Sequence, residues 1–245
     1  VTHDKEWFES WFDSPYYHIL YEDRDQDEAQ LFIDNLLRFL KPPPHARMLD
    51  VACGRGRHAV YLNDKGYDVD AFDLSESNIE YDKQFENEGL RFYRHDMREF
   101  FPNGDFDYVF NLFSSFGYFD TDEENRKVIE AHAAALKAGG MLVLDYLNTQ
   151  LTTNCLKAYE QKVIGDITFH IHKSIADGSV IKTIKFNAEG RDFEYREKLR
   201  LFTLQEFEQL LEACALQIKH VFGNYLLEPF EALASERLIL IAVKN

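Results

Sequence analysis

Five short apolar runs organise the first part of the chain, over residues 48–52, 67–72, 90–94, 106–112 and 141–147. Runs of this length read as buried strands. Between most of them apolar positions recur at helical spacing, most clearly over 123–137, where the pair Gly139-Gly140 is expected to close the helix. Before the first strand, Phe32, Ile33, Leu36, Leu37 and Leu40 mark one face of a helix over 25–40. Pro42-Pro43-Pro44 stops it, because proline lacks an amide donor and constrains its predecessor. This alternation predicts an α/β fold with a doubly wound, seven-stranded, mostly parallel sheet and helices on both faces.

The pattern changes after Asn148. Residues 163–175, 180–188 and 191–202 are β-rich and are broken by the turn pairs Asp177-Gly178 and Glu189-Gly190. They predict a small antiparallel β insertion over 155–202, after strand five. Thr203 and Glu206 have the spacing of a capping box and open another helix. Residues 216–222 and 237–243 supply two closing strands, the last of them antiparallel. The chain reads as a single domain, 1–245, without internal repeats or a flexible linker.

Ahead of the first long helix stand Trp7, Phe8, Trp11, Phe12, Tyr16, Tyr17 and Tyr21. So many aromatic rings would be costly in water. They brace the core or close over a ligand, which makes residues 1–40 a candidate lid.

Composition narrows the function. Hydrophobic residues make up 45% of the 245, so a sizeable core is expected. The balance of 27 basic and 43 acidic residues, net −16, weighs against a nucleic-acid partner. The three cysteines, Cys53, Cys155 and Cys214, form no paired or histidine-flanked cluster, so neither a disulfide framework nor a metal site is expected. Residues 1–10 lack the apolar stretch of a signal peptide, and no apolar segment approaches the ~20 residues of a membrane helix. A cytoplasmic protein with no membrane partner is the expectation.

The chemistry is concentrated after the first strand, in Asp50-Val51-Ala52-Cys53-Gly54-Arg55-Gly56-Arg57-His58-Ala59. Glycines there let the backbone pass close beneath a ligand at the start of the next helix. By itself, Gly54-x-Gly56-x-x-Ala59 also satisfies a dinucleotide fingerprint. Three carboxylates sharpen the choice. Asp50 ends the first strand, Asp73 the second, 19 residues beyond Gly54, and Asp96 follows the third. All three should project into the crevice at the carboxyl edge of the sheet. An added carboxylate near the glycine loop repels a pyrophosphate, but favours a ligand with an ammonium and a sulfonium and no phosphate.

In these segments the chain resembles the class I, Rossmann-like S-adenosylmethionine-dependent methyltransferases. The resemblance rests on Met48-Leu49-Asp50-Val51-Ala52-Cys53-Gly54-Arg55-Gly56, Asp73-Leu74-Ser75, Asp96-Met97, Asn111-Leu112-Phe113 and Leu136-Lys137-Ala138-Gly139-Gly140. It implies that Ala52, Cys53 and Gly54 face the methionine part, with Asp50 near its amino group and Gly56 completing the loop. Asp73 would take the ribose hydroxyls and Leu74 the adenine face. Asp96 would accept from the adenine amino group beside Met97, and Asn111 and Leu112 would line the methionine side. Ala52 departs from the glycine common there, a change expected only to tighten the loop. The product would be S-adenosylhomocysteine.

For the acceptor, the candidates are Tyr16, Tyr17, His18 and Tyr21 in the N-terminal segment, Ser114, Ser115 and Tyr118 after the fourth strand, Asp145, Tyr146 and Asn148 at the end of the fifth, and Arg237. Tyr21, Asp145 and His18 are the candidate catalytic groups and the others candidate substrate contacts. Methyl transfer needs alignment and exclusion of water, and needs a base only when the acceptor starts protonated. Phe113-Ser114-Ser115-Phe116-Gly117-Tyr118 and the insertion are similar to nucleotide-sugar N-methyltransferases and the glycine/sarcosine methyltransferase group, which implies a small-molecule amine acceptor, with a hydroxyl as the other choice. The DNA-amino-methyltransferase signature Asn/Asp-Pro-Pro-Tyr is absent. An NAD(P)-dependent oxidoreductase, a non-catalytic adenosine-ligand-binding module and a protein or RNA methyltransferase are the alternatives. The insertion could instead support a homodimer through an exposed hairpin edge.

Overall fold

The structure is a computed structural model and describes residues 6–21 and 26–245. The apolar runs become β1 (Arg47–Val51), β2 (Asp68–Asp73), β3 (Leu90–Arg94), β4 (Phe106–Asn111) and β5 (Leu136–Leu147). The insertion follows as β6 (Tyr159–Ile164), β7 (Ile167–Ala176), β8 (Ser179–Ala188) and β9 (Arg191–Arg200), and β10 (Leu216–Phe222) and β11 (Arg237–Lys244) end the chain. The main sheet has the order β10-β11-β5-β4-β1-β2-β3. β1 to β5 run parallel, and β11 is antiparallel to both β5 and β10. This is the doubly wound, seven-stranded sheet that the alternation predicts.

The strands are apolar on both sides because both faces are covered. Leu49, Val51, Val109, Leu142, Leu144 and Leu240 enter the core on one face, and Met48, Val69, Ala71, Phe110, Val143 and Ile241 the other. The helices α3 (Gln26–Leu40), α4 (Arg57–Asp64), α5 (Glu76–Asp82), α6 (Asp122–Ala135) and α8 (Leu204–Ala213) flank the sheet. Capping boxes open α6 at Thr121 and α8 at Thr203. The chain departs from β1 toward β2 on one side, while β4 lies on the other, so a crevice opens beyond the carboxyl ends of the central strands.

Two expectations need correction. Helix α6 ends at Ala135, and Gly139-Gly140 lie inside β5. The β4–β5 register breaks between Phe106 and Tyr108, and a Cβ on Gly140 would stand 2.9 Å from the Phe106 carbonyl oxygen. These glycines therefore admit a close backbone approach at a strand irregularity and do not cap a helix. The segment 163–175 is likewise two strands of a hairpin, because Gly165, at φ 55°, turns the chain between β6 and β7. The insertion is a four-stranded antiparallel sheet, β6-β7-β8-β9.

The N-terminal aromatic segment forms two short helices, α1 (Trp7–Phe12) and α2 (Pro15–Leu20), the second capped by Ser14. Trp11 and Leu20 pack with Phe169, Ile171, Ile184 and Phe186 of the insertion in a core of their own. The segment and the insertion thus bury each other's apolar faces, and the segment's other side stands over the crevice. Among the described residues no helix is long and apolar enough to cross a membrane.

Candidate functional site

The crevice is one cleft with two halves that share Tyr17, Ala52, Gly54, Phe113 and Ser115. In the first half, Phe72, Asp73, Leu74, Asp96, Met97 and Tyr118 stand around the ends of β2 and β3. The second half holds Asp50, Cys53, Arg55, Arg57, His58 and Leu112, facing His18 and Tyr21.

The glycine loop is shaped by its neighbours. Ala52, Gly54 and Gly56 all have left-handed backbone, at φ 53°, 58° and 65°. At Gly56 a Cβ would lie 2.8 Å from the Phe92 ring and 3.2 Å from Asp82 Cγ, so the loop can turn into α4 only with glycine there. At Gly54 a Cβ would meet nothing within 4 Å, so the loop is open toward the cleft at that residue. Ala52 does more than tighten the loop, contrary to expectation. A side chain in left-handed backbone costs roughly 1–2 kcal/mol, which the surrounding structure has to hold.

Asp73 fixes this loop to the end of β2. Its Oδ2 accepts from the Gly54 amide at 2.9 Å and its Oδ1 from the Ser75 amide at 2.8 Å. Burial raises its pKa, and these backbone bonds oppose the rise. Asp50 is buried, and its Oδ2 has no hydrogen-bond partner among the described residues. Burial pushes its pKa up to about 7, against the pull of the Arg57 guanidinium. Asp82, from α5, lies fully buried under the loop, and burial, with Asp73 and Asp50 nearby, pushes it up to about 8. Burial likewise keeps the Cys53 thiol protonated. Asp82 is invisible to sequence reading, because a lone acid in an amphipathic helix carries no motif.

Asp96 sits at the far end of the first half. Burial opposes its charge, but the Arg98 side chain bonds both its oxygens, and its pKa falls below the ordinary value. Arg98 also reaches Glu6 at 2.7 Å and Glu124 at 3.1 Å, which joins the N-terminal segment to α6 across this edge.

The two N-terminal helices roof the cleft. Asp13, between them, accepts from the Ser75 and Ser77 hydroxyls, each at 2.6 Å. On the other side, Glu197 of β9 accepts from Trp11 Nε1 at 2.7 Å and from the Tyr21 hydroxyl at 2.8 Å. Lys182 of β8 pairs with Glu197 at 3.2 Å and also bonds the Tyr21 oxygen. His18 faces the glycine loop, where burial and the Arg55 charge lower its pKa to about 4 and leave the imidazole neutral.

Several residues expected in the site lie outside it. Tyr16 packs between Phe186 and Phe193 of the insertion. Asn111 is buried beside His132, at 3.0 Å. The Tyr146 hydroxyl donates to the Arg200 carbonyl from within the core, and Asn148 caps the helix α7 (Thr149–Asn154). Asp145 and Arg237, read as a catalytic group and a substrate contact, pair with each other at 2.8 Å. Asp145 is fully buried, and its Oδ2 accepts from the Phe113 amide at 2.8 Å and from the Tyr225 hydroxyl at 3.2 Å. Arg237 also donates to Ser114 Oγ at 2.9 Å. Phe113 and Ser114 both have φ 58°, so this pair holds a strained turn that carries Phe113 and Ser115 to the cleft. Its place is behind the wall and not in it. Among the described residues no group of three or more His, Cys, Asp or Glu side chains could hold a metal ion.

Comparison with known proteins agrees with this geometry. A methyltransferase-domain family model matches residues 48–140. The chain is 30% identical over 222 residues to YqeM of Bacillus subtilis (strain 168), whose name places it among methyltransferases without giving an acceptor, over 83% of this chain and 86% of that protein. It is 25% identical to the dTDP-3-amino-3,4,6-trideoxy-alpha-D-glucopyranose N,N-dimethyltransferase of Streptomyces venezuelae, over 85% of this chain and 91% of that one. A crystal structure of an S-adenosylmethionine-dependent methyltransferase from Clostridium acetobutylicum ATCC 824 shares the fold, with a TM-score of 0.79 at 21% identity, over 94% of this chain and 96% of that one.

Proposed function

The chain belongs to the S-adenosylmethionine-dependent methyltransferases, and from that premise we propose that it methylates an amine nitrogen of a small-molecule acceptor held beneath the N-terminal helices. One observation carries the reading. The two halves of the cleft meet at Ala52, Gly54, Phe113 and Ser115, so a ligand filling the Asp73 half ends against the pocket of Tyr17, His18 and Tyr21. The amine is supported by the Streptomyces relative, whose name specifies N,N-dimethylation of an amino sugar.

The residues present fit the cofactor. The partnerless Asp50 Oδ2 and the open side of Gly54 suit an amino group next to the loop. Each Asp73 oxygen already takes one amide and has a further lone pair for a ribose hydroxyl. Leu74 and Met97 supply apolar faces for the adenine, and Asp96 borders the same space. S-adenosylmethionine supplies an electrophilic methyl group, which the acceptor lone pair takes while the electron pair of the carbon–sulfur bond returns to sulfur.

The protein's own work is to align and to dry the site. Trp7, Phe12, Tyr17 and Tyr118 form a continuous aromatic cluster over the cleft and keep water from its centre. His18, neutral at ordinary pH and a weak base, is suited to orient the acceptor by a hydrogen bond. Tyr21 is held by Lys182 and Glu197, so its oxygen is fixed at the acceptor end, and Glu197 offers an outlet for a proton leaving the amine. Asp145 and Arg237 act at a distance, by holding the turn that presents Phe113 and Ser115.

The test is product analysis after incubation with S-adenosylmethionine and a panel of small amines and phenols. Methyl groups found on nitrogen support the reading. Transfer only to phenol oxygen would replace the amine by a hydroxyl, and transfer only to protein or tRNA would displace the small-molecule acceptor.

A further inference from the structure

Each sheet ends in two edge strands, β3 and β10 in the main sheet and β6 and β9 in the insertion. An edge left open invites another chain, and proteins close such edges by specific devices. Among the described residues β3, β10 and β9 each carry one. On β3, the Glu86 carboxylate accepts from the outward Phe92 amide at 2.9 Å. On β10, the register breaks between Ile218 and His220, and Lys219 stands at the bulge. β9 is tied to the segment after β4, by the Arg200 amide on the Gly117 carbonyl at 2.8 Å and by the ion pair of Lys198 with Asp120 at 2.5 Å.

β6 is different. It is six residues long without a proline, and its pairing with β7 runs from Tyr159 to Ile164 without a register break. The Lys173 amide donates to the Ala158 carbonyl, so the next bonded residues toward the turn are Glu160 and Lys162. Tyr159, Gln161 and Val163 therefore turn their amides and carbonyls outward, where no described residue bonds them. Their side chains lie on the outer face, with Tyr159 48% and Val163 66% exposed. Glu160 and Lys162 lie on the other face, where Glu160 pairs with Lys173 at 2.8 Å and feels Lys162 through space.

We propose that β6 pairs antiparallel with β6 of a second copy of this chain, about a two-fold axis at Gln161. Charge sets the register. Centring the pair on Gln161 puts Glu160 opposite the second copy's Lys162, and Lys162 opposite its Glu160. Centring it on Glu160 or on Lys162 would oppose like charges, which destabilises a pair of strands. On the outer face Tyr159 then meets the second copy's Val163, so both exposed apolar side chains are covered, and the two Gln161 residues exchange amide-to-carbonyl bonds at the axis. The contact uses the same strand on both copies and leaves no further open edge, so assembly stops at two. In a chain of net charge −16, whose copies repel one another, a strand with one acid and one base can match its own charges across the axis. The dimer does not depend on the identity of the acceptor.

The experiment is sedimentation equilibrium of the full chain at micromolar concentrations, for the wild type, Gln161→Pro, Glu160→Lys and Lys162→Glu. The wild type should sediment as a reversible dimer. Gln161→Pro should weaken the dimer by about tenfold or more, because it removes both amides at the axis and spares the bonds to β7. Glu160→Lys and Lys162→Glu should each weaken self-association, and a mixture of the two should form a mixed dimer about tenfold tighter than either forms alone. The mixed dimer decides the matter, because a variant that fails to fold cannot produce it. A monomeric wild type would overturn the interface. A dimer unchanged by Gln161→Pro and by both charge variants would overturn it as well, by placing the contact elsewhere, and so would a mixture no tighter than its separate variants.

Discussion

Asp50 shows how far burial can redirect one side chain. Its carboxyl is cut off from water, and one oxygen has no partner, so burial raises its pKa to about 7. The ionised form is the one that attracts an amino group. A cation docking there displaces the proton, and binding becomes linked to pH. Affinity for S-adenosylmethionine should therefore fall as the pH drops through about 7, approaching tenfold per unit where one proton is released. Titrations across that range check this, and Asp50→Asn should flatten the profile. A wild-type affinity independent of pH would place the amino group elsewhere. The same sign governs the free protein. The native state keeps this proton to higher pH than the unfolded chain does, so the group's contribution to stability declines from about pH 4 to about pH 7. Ala52, Phe113 and Ser114 are a second residue-scale feature, three side chains in left-handed backbone around one cleft. Asp145 makes the last such turn tenable by bonding the Phe113 amide.

At the scale of elements, the N-terminal helices depend on the insertion. Trp11 is fully buried against Tyr195 at 4.5 Å, and its indole donates to Glu197. Asp13 fastens the opposite edge to the turn after β2. α1 and α2 have six residues each and would not persist alone, so this docking decides whether the roof exists. Trp11→Ala should cost about 3–5 kcal/mol of docking energy. Hydrogen exchange should show the amides of α1 and α2 losing protection while β1, β4 and β5 keep theirs. Uniform loss across the main sheet would instead make the roof part of the global core. The aromatic segment packs on the insertion on one side and faces the cleft on the other.

At the scale of the molecule, the main sheet was legible because its strands are buried on both faces, and such runs stand out against amphipathic helices. The glycine loop and Asp50, Asp73 and Asp96 were legible for a related reason, since sequence spacing places them at successive strand ends. What escaped was set by contacts distant in sequence. Asp145 meets Arg237 across 92 residues, and Tyr21 meets Glu197 across 176, so the first pair passed for site residues and Glu197 and Lys182 went unnoticed. Gly139-Gly140 misled because a helix end and a strand irregularity both select glycine. Gly165-Asp166 was passed over inside an apolar run that continues on either side of it. The account as a whole stands on Asp73, which holds the glycine loop at the end of β2 and is proposed to take the ribose hydroxyls. Its most direct test is calorimetric titration of the wild-type protein and Asp73→Ala with S-adenosylmethionine and, separately, NADH. The account predicts binding of S-adenosylmethionine alone, weakened in the folded variant by about 2–4 kcal/mol through the loss of charge-assisted hydrogen bonds. Binding of NADH in its place, or an affinity unchanged in Asp73→Ala, would contradict it.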